Sequence, residues 1–200
     1  MEEITRGVFH WTAVHPRIKV EVSSYYLPDS GTLIDPMLPD EGPGWFAPRS
    51  APQRIVLTNR HHYRQSREFR AEFGCRVLCH EAGLHEFEPG QEVEGFRFGD
   101  QLAPGVTALE VGSICAEESA LHIELGDGLL SFADGLIRYE ELAFVPDRLL
   151  GDDPEEVKRG LRHSLRALLE REFDSLLFAH GDPLIGGGRR ALAEFAGSGA

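Results

Sequence analysis

Apolar and polar positions alternate in "IKVEVSSYYL" (18–27), a stretch rich in β-branched and aromatic residues, so a strand is expected there. A Pro-Asp-Ser-Gly turn leads into "GTLIDPML" (31–38), which makes the pair a hairpin. "RIVLTN" (54–59) is a short apolar run suited to a buried strand. In "SREFRAEFG" (66–74) the spacing changes: Phe69 and Phe73 share a helical face, Ser66 can cap the start and Gly74 can end it. "CRVLCH" (75–80) reads as the next strand, so residues 54–80 form a strand–helix–strand unit.

The second half repeats this logic. "GVTALEV" (105–111), "SALHIEL" (119–125) and "GLLSFAD" (128–134) are strand candidates, the last two joined by the hairpin signal "GDG". Residues 152–173 form an amphipathic helix. Asp153 caps it, Pro154 suits its first turn, Glu155 and Glu156 favour its N-terminus, and Leu161, Leu165, Leu168 and Leu169 line one side. "SLLFAH" (175–180) is a last strand and "GGRRALAEFA" (187–196) a last helix; the closing "AGSGA" is expected to fray. Strands in blocks, with helices that each carry one apolar face, imply a layered α/β sandwich. No internal repeat or low-complexity block interrupts it. The Pro/Gly-rich segment 36–52 is expected to be a long surface loop. Its Trp45 and Phe46 could cover a pocket or join a homodimer interface, but packing on the domain is the commoner fate of such residues.

A chain of 200 residues suits one domain spanning 1–200. Its formal net charge of −13 makes nucleic acid and anionic membrane poor partners, without excluding a small anionic ligand held by local arginines. The opening "MEEITRGVFHW" has no apolar core of a signal peptide, and no segment is apolar for long enough to span a bilayer. The three cysteines, Cys75, Cys79 and Cys115, are odd in number, which implies free thiols and a cytoplasmic location. Cys75 and Cys79 have no second pair with which to build a structural zinc site.

Chemistry-bearing residues gather at strand ends, where layered α/β folds place their sites. Asn59, His61, His62, Tyr63 and Arg64 follow one strand; Asp134 closes another, His180 closes the last, and Cys115 lies in a loop between two strands. His, Asp and Cys from separate strand ends can converge on one metal, which needs only three or four donors. Each residue alone is ordinary: an Asp before Gly is a turn former, a buried free Cys is inert packing, and "HGDPLIGGG" is a flexible turn.

The order of these residues resembles the metallo-β-lactamase fold superfamily, in its glyoxalase II-like branch, over nearly the whole chain. The superfamily's T-H-x-H-x-D-H loop corresponds to "TNRHHYR" (58–64), and its P-G-H-T-P-G-S loop to "SICAEES" (113–119). A strand ending in T-G-D matches "LLSFADGLI" (129–137), which puts Asp134 on the bridging Asp. A strand followed by G-H-G and a Gly-rich helix start matches "LLFAHGDPLIGGGRRAL" (176–192), which puts His180 on the final His.

The resemblance implies an αββα sandwich with two metal ions, usually zinc, at one edge, and hydrolysis of an ester, thioester, amide or phosphoester. This chain departs from the pattern: Asn59, Tyr63 and Arg64 stand where ligands belong, and Cys115 stands in place of a His. Asn is a weak ligand and Arg cannot deprotonate to become one.

Three outcomes stay open. One is a single zinc, iron or manganese held by His61, Asp134 and His180, with Cys115 as a thiolate, in a site that hydrolyses a small ester or thioester. Tyr63 or Arg64 would then stabilise developing negative charge. Another is a metal-free binding or interaction protein whose pocket is charged by Arg64 and Arg60, with Arg64 paired to Asp134. The third is a bare scaffold. Redox sensing by Cys115 would need a neighbouring positive charge such as Arg64. His62 is expected to point away from His61, because neighbours in an extended segment alternate sides.

Overall fold

The computed structural model describes residues 1–198. The chain opens with two strands beyond those expected, β1 (Glu2–Thr5) and β2 (Val8–Val14). The alternating segment becomes β3 (Glu21–Leu27) and forms the expected hairpin with β4 (Thr32–Ile34). Strand β5 (Arg54–Val56), helix α1 (Ser66–Phe73) and strand β6 (Arg76–His80) form the expected unit, with β5 and β6 parallel, and β7 (Val93–Phe96) completes the sheet. These strands lie in the order β1 to β7.

A second sheet takes β8 (Gln101–Ala103), β9 (Val106–Glu110), β10 (Ser119–Ile123), β11 (Leu129–Phe132) and β14 (Ser175–Phe178), in the order β14-β11-β10-β9-β8. A small ribbon of β12 (Ile137–Arg138) and β13 (Leu142–Ala143) precedes α2 (Pro154–Leu168), and α3 (Gly188–Gly197) ends the fold. The "AGSGA" tail therefore begins inside α3, and its last two residues lie outside the described part.

Period-two side chains sort the layers. Tyr25, Ile34, Val56 and Leu78 face Val106, Ala108, Leu121, Leu129 and Leu177 across the space between the sheets. Their neighbours Tyr26, Leu33, Ile55 and Val77 face the other way, onto Phe69 of α1. On the far side, Leu130, Phe132, Leu176 and Phe178 pack on Leu161, Leu165 and Leu168 of α2 and on Leu192 and Ala196 of α3. The result is the αββα order. Among the described residues no helix is long and apolar enough to cross a membrane.

Three local expectations are corrected. Ser66 does not cap α1: Gln65 takes the cap position, and the Ser66 hydroxyl is buried without a partner. The long helix stops at Leu168 rather than 173, with Asp153 capping it by accepting from the Glu156 amide at 2.9 Å. The segment 36–52 is not wholly a surface loop. Its 3-10 turn Pro43–Phe46 buries Phe46 completely, edge-to-face against Trp11, Tyr26, Phe69 and Phe73, where the large apolar area of the rings is removed from water.

Candidate metal centre

The parallel pairing of β11 and β14 matches Phe132 with Phe178. Two residues further along each strand stand Asp134 and His180, so the register itself brings them side by side. The His180 Nε2 lies 3.0 Å from Asp134 Oδ1. The next turn needs Gly181. Its φ of +94° is left-handed, and a Cβ would sit 1.7 Å from the Arg138 carbonyl oxygen.

The third member comes from the first sheet. After β5 the chain enters a 3-10 turn, Arg60–Tyr63, opened by Asn59, whose side-chain oxygen accepts from the His61 amide at 2.9 Å. This turn decides which histidine of the doublet faces inward. His62 is buried, its Nδ1 is 2.9 Å from Asp35 Oδ2 and its Nε2 is 3.4 Å from Asp134 Oδ1. His61 is exposed. The doublet offers one inward-facing ring, as expected, but the expectation that this ring is His61 is reversed: His62 joins Asp134 and His180. That expectation assumed an extended segment, and a 3-10 turn rotates each residue by about a third of a circle instead.

His62, Asp134 and His180 each offer one ligand atom, and these atoms lie within 4.8 Å of one another. The residue behind them is Asp35, to which sequence reading assigned no role. It follows β4 with φ +46° and is fully buried. Its carboxylate accepts from the Thr58 amide at 2.9 Å, from the Thr58 hydroxyl and from His62. "LID" closing a strand is the only signal the sequence carries for it.

Charge follows from this packing. Burial alone would strip the proton from His62, but Asp35, with Asp134, more than offsets this and raises its pKa to about 9. Burial would raise the Asp134 carboxyl, yet His62 and His180 hold it well below the usual carboxylate range. The Asp35 contact on Nδ1 also leaves His62 Nε2 as the atom that faces Asp134 and His180. A carboxylate behind an imidazole is how metal-binding histidines are held in one tautomer. Two imidazoles and a carboxylate, open on one side, fit a single divalent cation such as zinc, iron or manganese.

The other expected site residues lie elsewhere. Arg64, at φ +43°, points its guanidinium at backbone: Nη1 donates to the Ser23 and Asp35 carbonyls, each at 2.6 Å, and Nη2 to the Ala179 carbonyl at 3.4 Å. It makes no ion pair with Asp134 and ties both sheets together. Tyr63 packs near Phe87, and its buried hydroxyl has no partner. Arg60 is bound to Glu117 and lies 3.8 Å from Glu86. Cys115 is outside the three-residue group; its thiol donates to Glu118 Oε2 at 3.7 Å. Burial, then the Glu118 and Glu117 carboxylates, push that thiol up, so its surroundings are the opposite of those that make a reactive thiolate.

Glu118 is the second residue that sequence reading missed. It is fully buried, and burial followed by the nearby Asp134 carboxylate pushes its carboxyl far above the usual range. Asn59 stands between the two acids: its Nδ2 donates to Asp134 Oδ2 at 2.9 Å and to Glu118 Oε2 at 3.2 Å.

Solved structures share this architecture. DIM-1 metallo-β-lactamase exposed to ceftazidime superposes with a TM-score of 0.72 over 100% of this chain and 96% of its own, at 11% identity. A protein solved in a di-iron-bound form, TTHA1623, gives 0.67 over 90% and 96%, at 19% identity. A metallo-β-lactamase family protein from Thermus thermophilus gives 0.64 over 96% and 79%, at 17% identity. Identities this low establish shape only. No family model and no curated protein matches the sequence.

Proposed function

For this chain with the metallo-β-lactamase fold, we propose the role of a mononuclear metal-dependent hydrolase of a small ester or thioester. The observation that carries the reading is the meeting of His62 Nε2, Asp134 Oδ1 and His180 Nε2 at one open corner, with Asp35 behind His62. A divalent cation held by those three atoms would supply Lewis acidity and make water acidic enough to ionise near neutral pH. The protein's own part is to hold that corner. Asp35 and Thr58 orient His62, Asn59 holds the outer oxygen of Asp134, and Arg64 fastens the strand ends that carry Asp35 and Ala179. The acidic surface favours a small molecule over nucleic acid or an anionic membrane.

Metal analysis tests this directly. Protein purified without chelator should hold about one equivalent of zinc, iron or manganese. His62→Ala and His180→Ala should each lose it and lose ester or thioester hydrolysis, while His61→Ala should keep both. A protein that takes up no metal from excess zinc sinks the reading, and so does a His62→Ala variant with unchanged metal content.

A second reading rests on the metal-free charge balance. Protonated His62 lies between Asp35 and Asp134 and can itself stand where a cation would, which suits a non-catalytic binding protein on the same fold. The pocket of such a protein would not be charged by Arg64 or Arg60, whose guanidinium groups are engaged with carbonyls and carboxylates. Thermal melting with and without chelator separates the readings, because a cation bound only to the folded state raises stability by about 2.7 kcal/mol at a hundred times its Kd.

A further inference from the structure

The residues beside the three-residue group are built as carefully as the group itself. Asn59 is almost wholly buried, and every polar atom of its side chain is used. Its oxygen accepts from the His61 amide at 2.9 Å, so the amide group can face only one way, with its N–H bonds toward Asp134 and Glu118. Glu118 in turn receives three donors: Asn59 Nδ2 at 3.2 Å, the Cys115 thiol at 3.7 Å and the Gly135 amide at 2.6 Å. Gly135 is the residue after Asp134, and a side chain there would not fit: a Cβ would lie 2.8 Å from Val111 Cγ1 and 3.3 Å from Glu118 Oε1. Glu118 therefore grips Asp134 twice, through the following peptide and through the Asn59 amide.

We propose that Asn59 and Glu118 are positioning residues that make Asp134 a one-sided ligand. Asn59 engages Oδ2, which leaves Oδ1 to meet the imidazoles of His62 and His180, and the three donor atoms so presented suffice for one cation and not for two. A buried carboxyl costs free energy unless its hydrogen bonds offset that cost, so an acid kept at 0% exposure with three donors aimed at it is held for what it positions. The inference rests on reading His62, Asp134 and His180 as a metal-binding set, and it adds the reason that Asp134 offers a single oxygen.

The test uses the full chain, with Asn59→Leu, which keeps the shape and removes both donors, and Glu118→Gln, which turns one acceptor into a donor facing Asn59 or Gly135. Calorimetric titration with Zn2+ should find one equivalent in the wild type. Asn59→Leu should weaken binding by about 10- to 100-fold, the usual effect of losing a group that orients a metal ligand. Glu118→Gln should weaken it by less, because the Asn59 contact to Asp134 survives.

Melting of the metal-free proteins, measured in parallel, separates positioning from simple destabilisation. Variants that melt lower but bind Zn2+ with wild-type affinity overturn the proposal, and so do two equivalents in the wild type. If the wild type binds no metal, the hydrolase reading and the one-cation limit both fall. Positioning is then read from the imidazole 15N shifts of His62 and His180, which should move in Asn59→Leu; unchanged shifts overturn it.

Discussion

Two neighbouring corners of the same sheet edge use similar residue types to opposite ends. At one, His62, Asp134 and His180 leave ring nitrogens and a carboxylate oxygen facing a common point that reaches solvent through Asp134 and His180. At the other, Asn59, Cys115, Glu117 and Glu118 point their polar atoms at one another, at Arg60 or at backbone amides, and Asn59 alone reaches across to Asp134 Oδ2. A set of donors becomes a ligand site only when its lone pairs are left uncommitted. Where each is matched to an N–H or S–H, the same atoms make a closed network that holds the fold.

The largest effect that would break this contrast comes from Asp35→Ala. It strips His62 Nδ1, the Thr58 amide and the Thr58 hydroxyl of their acceptor in a buried place, and should cost about 3–5 kcal/mol in denaturant unfolding, with loss of metal uptake. The charge on His62 gives the next. Its folded pKa of about 9 lies above the ordinary 6.5, so the stabilisation is complete below pH 6.5 and is lost as pH rises through 9. Metal-free protein should therefore lose about 3 kcal/mol between those limits relative to a His62→Asn variant, measured by urea melts across the range. A flat difference would mean that His62 is not the cation of the open corner.

Arg64→Met should cost about 2 kcal/mol, the scale of losing hydrogen bonds from a charged donor, and should loosen the junction of Ser23 and Asp35 with Ala179. Hydrogen exchange at the Ser23 amide, which donates to the Ala179 carbonyl at 2.9 Å, reports that loosening. The smallest effect sharpens the closed corner. Cys115→Ser should change stability by less than about 1 kcal/mol, since the thiol makes one long contact. The wild-type thiol should react slowly with iodoacetamide at neutral pH, because burial and two carboxylates disfavour its thiolate.

Much of this was legible in the chain. The strand–helix–strand unit and the hairpins follow from local periodicity and turn chemistry, as does the amphipathic helix that puts Leu161, Leu165 and Leu168 on the second sheet. Asp134 and His180 were also legible, because each closes a strand, and parallel neighbours deliver strand ends to the same place. The short strands β7, β8, β12 and β13 were not. They span two to four residues, too few to show a period, and they form because a neighbour supplies the hydrogen bonds.

The sequence by itself determined which residues could take part: a layered fold with strand ends, a histidine doublet after one of them, and an Asp and a His after two others. Only the tertiary structure decided which did. A 3-10 turn selects His62 over His61, Asp35 arrives from 27 positions away to hold it, and Arg64 turns to three carbonyls rather than to Asp134. Glu118 reaches Asn59 across 59 positions and closes the second corner. Local pattern cannot foresee these choices. Each is a competition for hydrogen bonds among groups brought together only when the two sheets close on one another, and burial makes the losing arrangement costly.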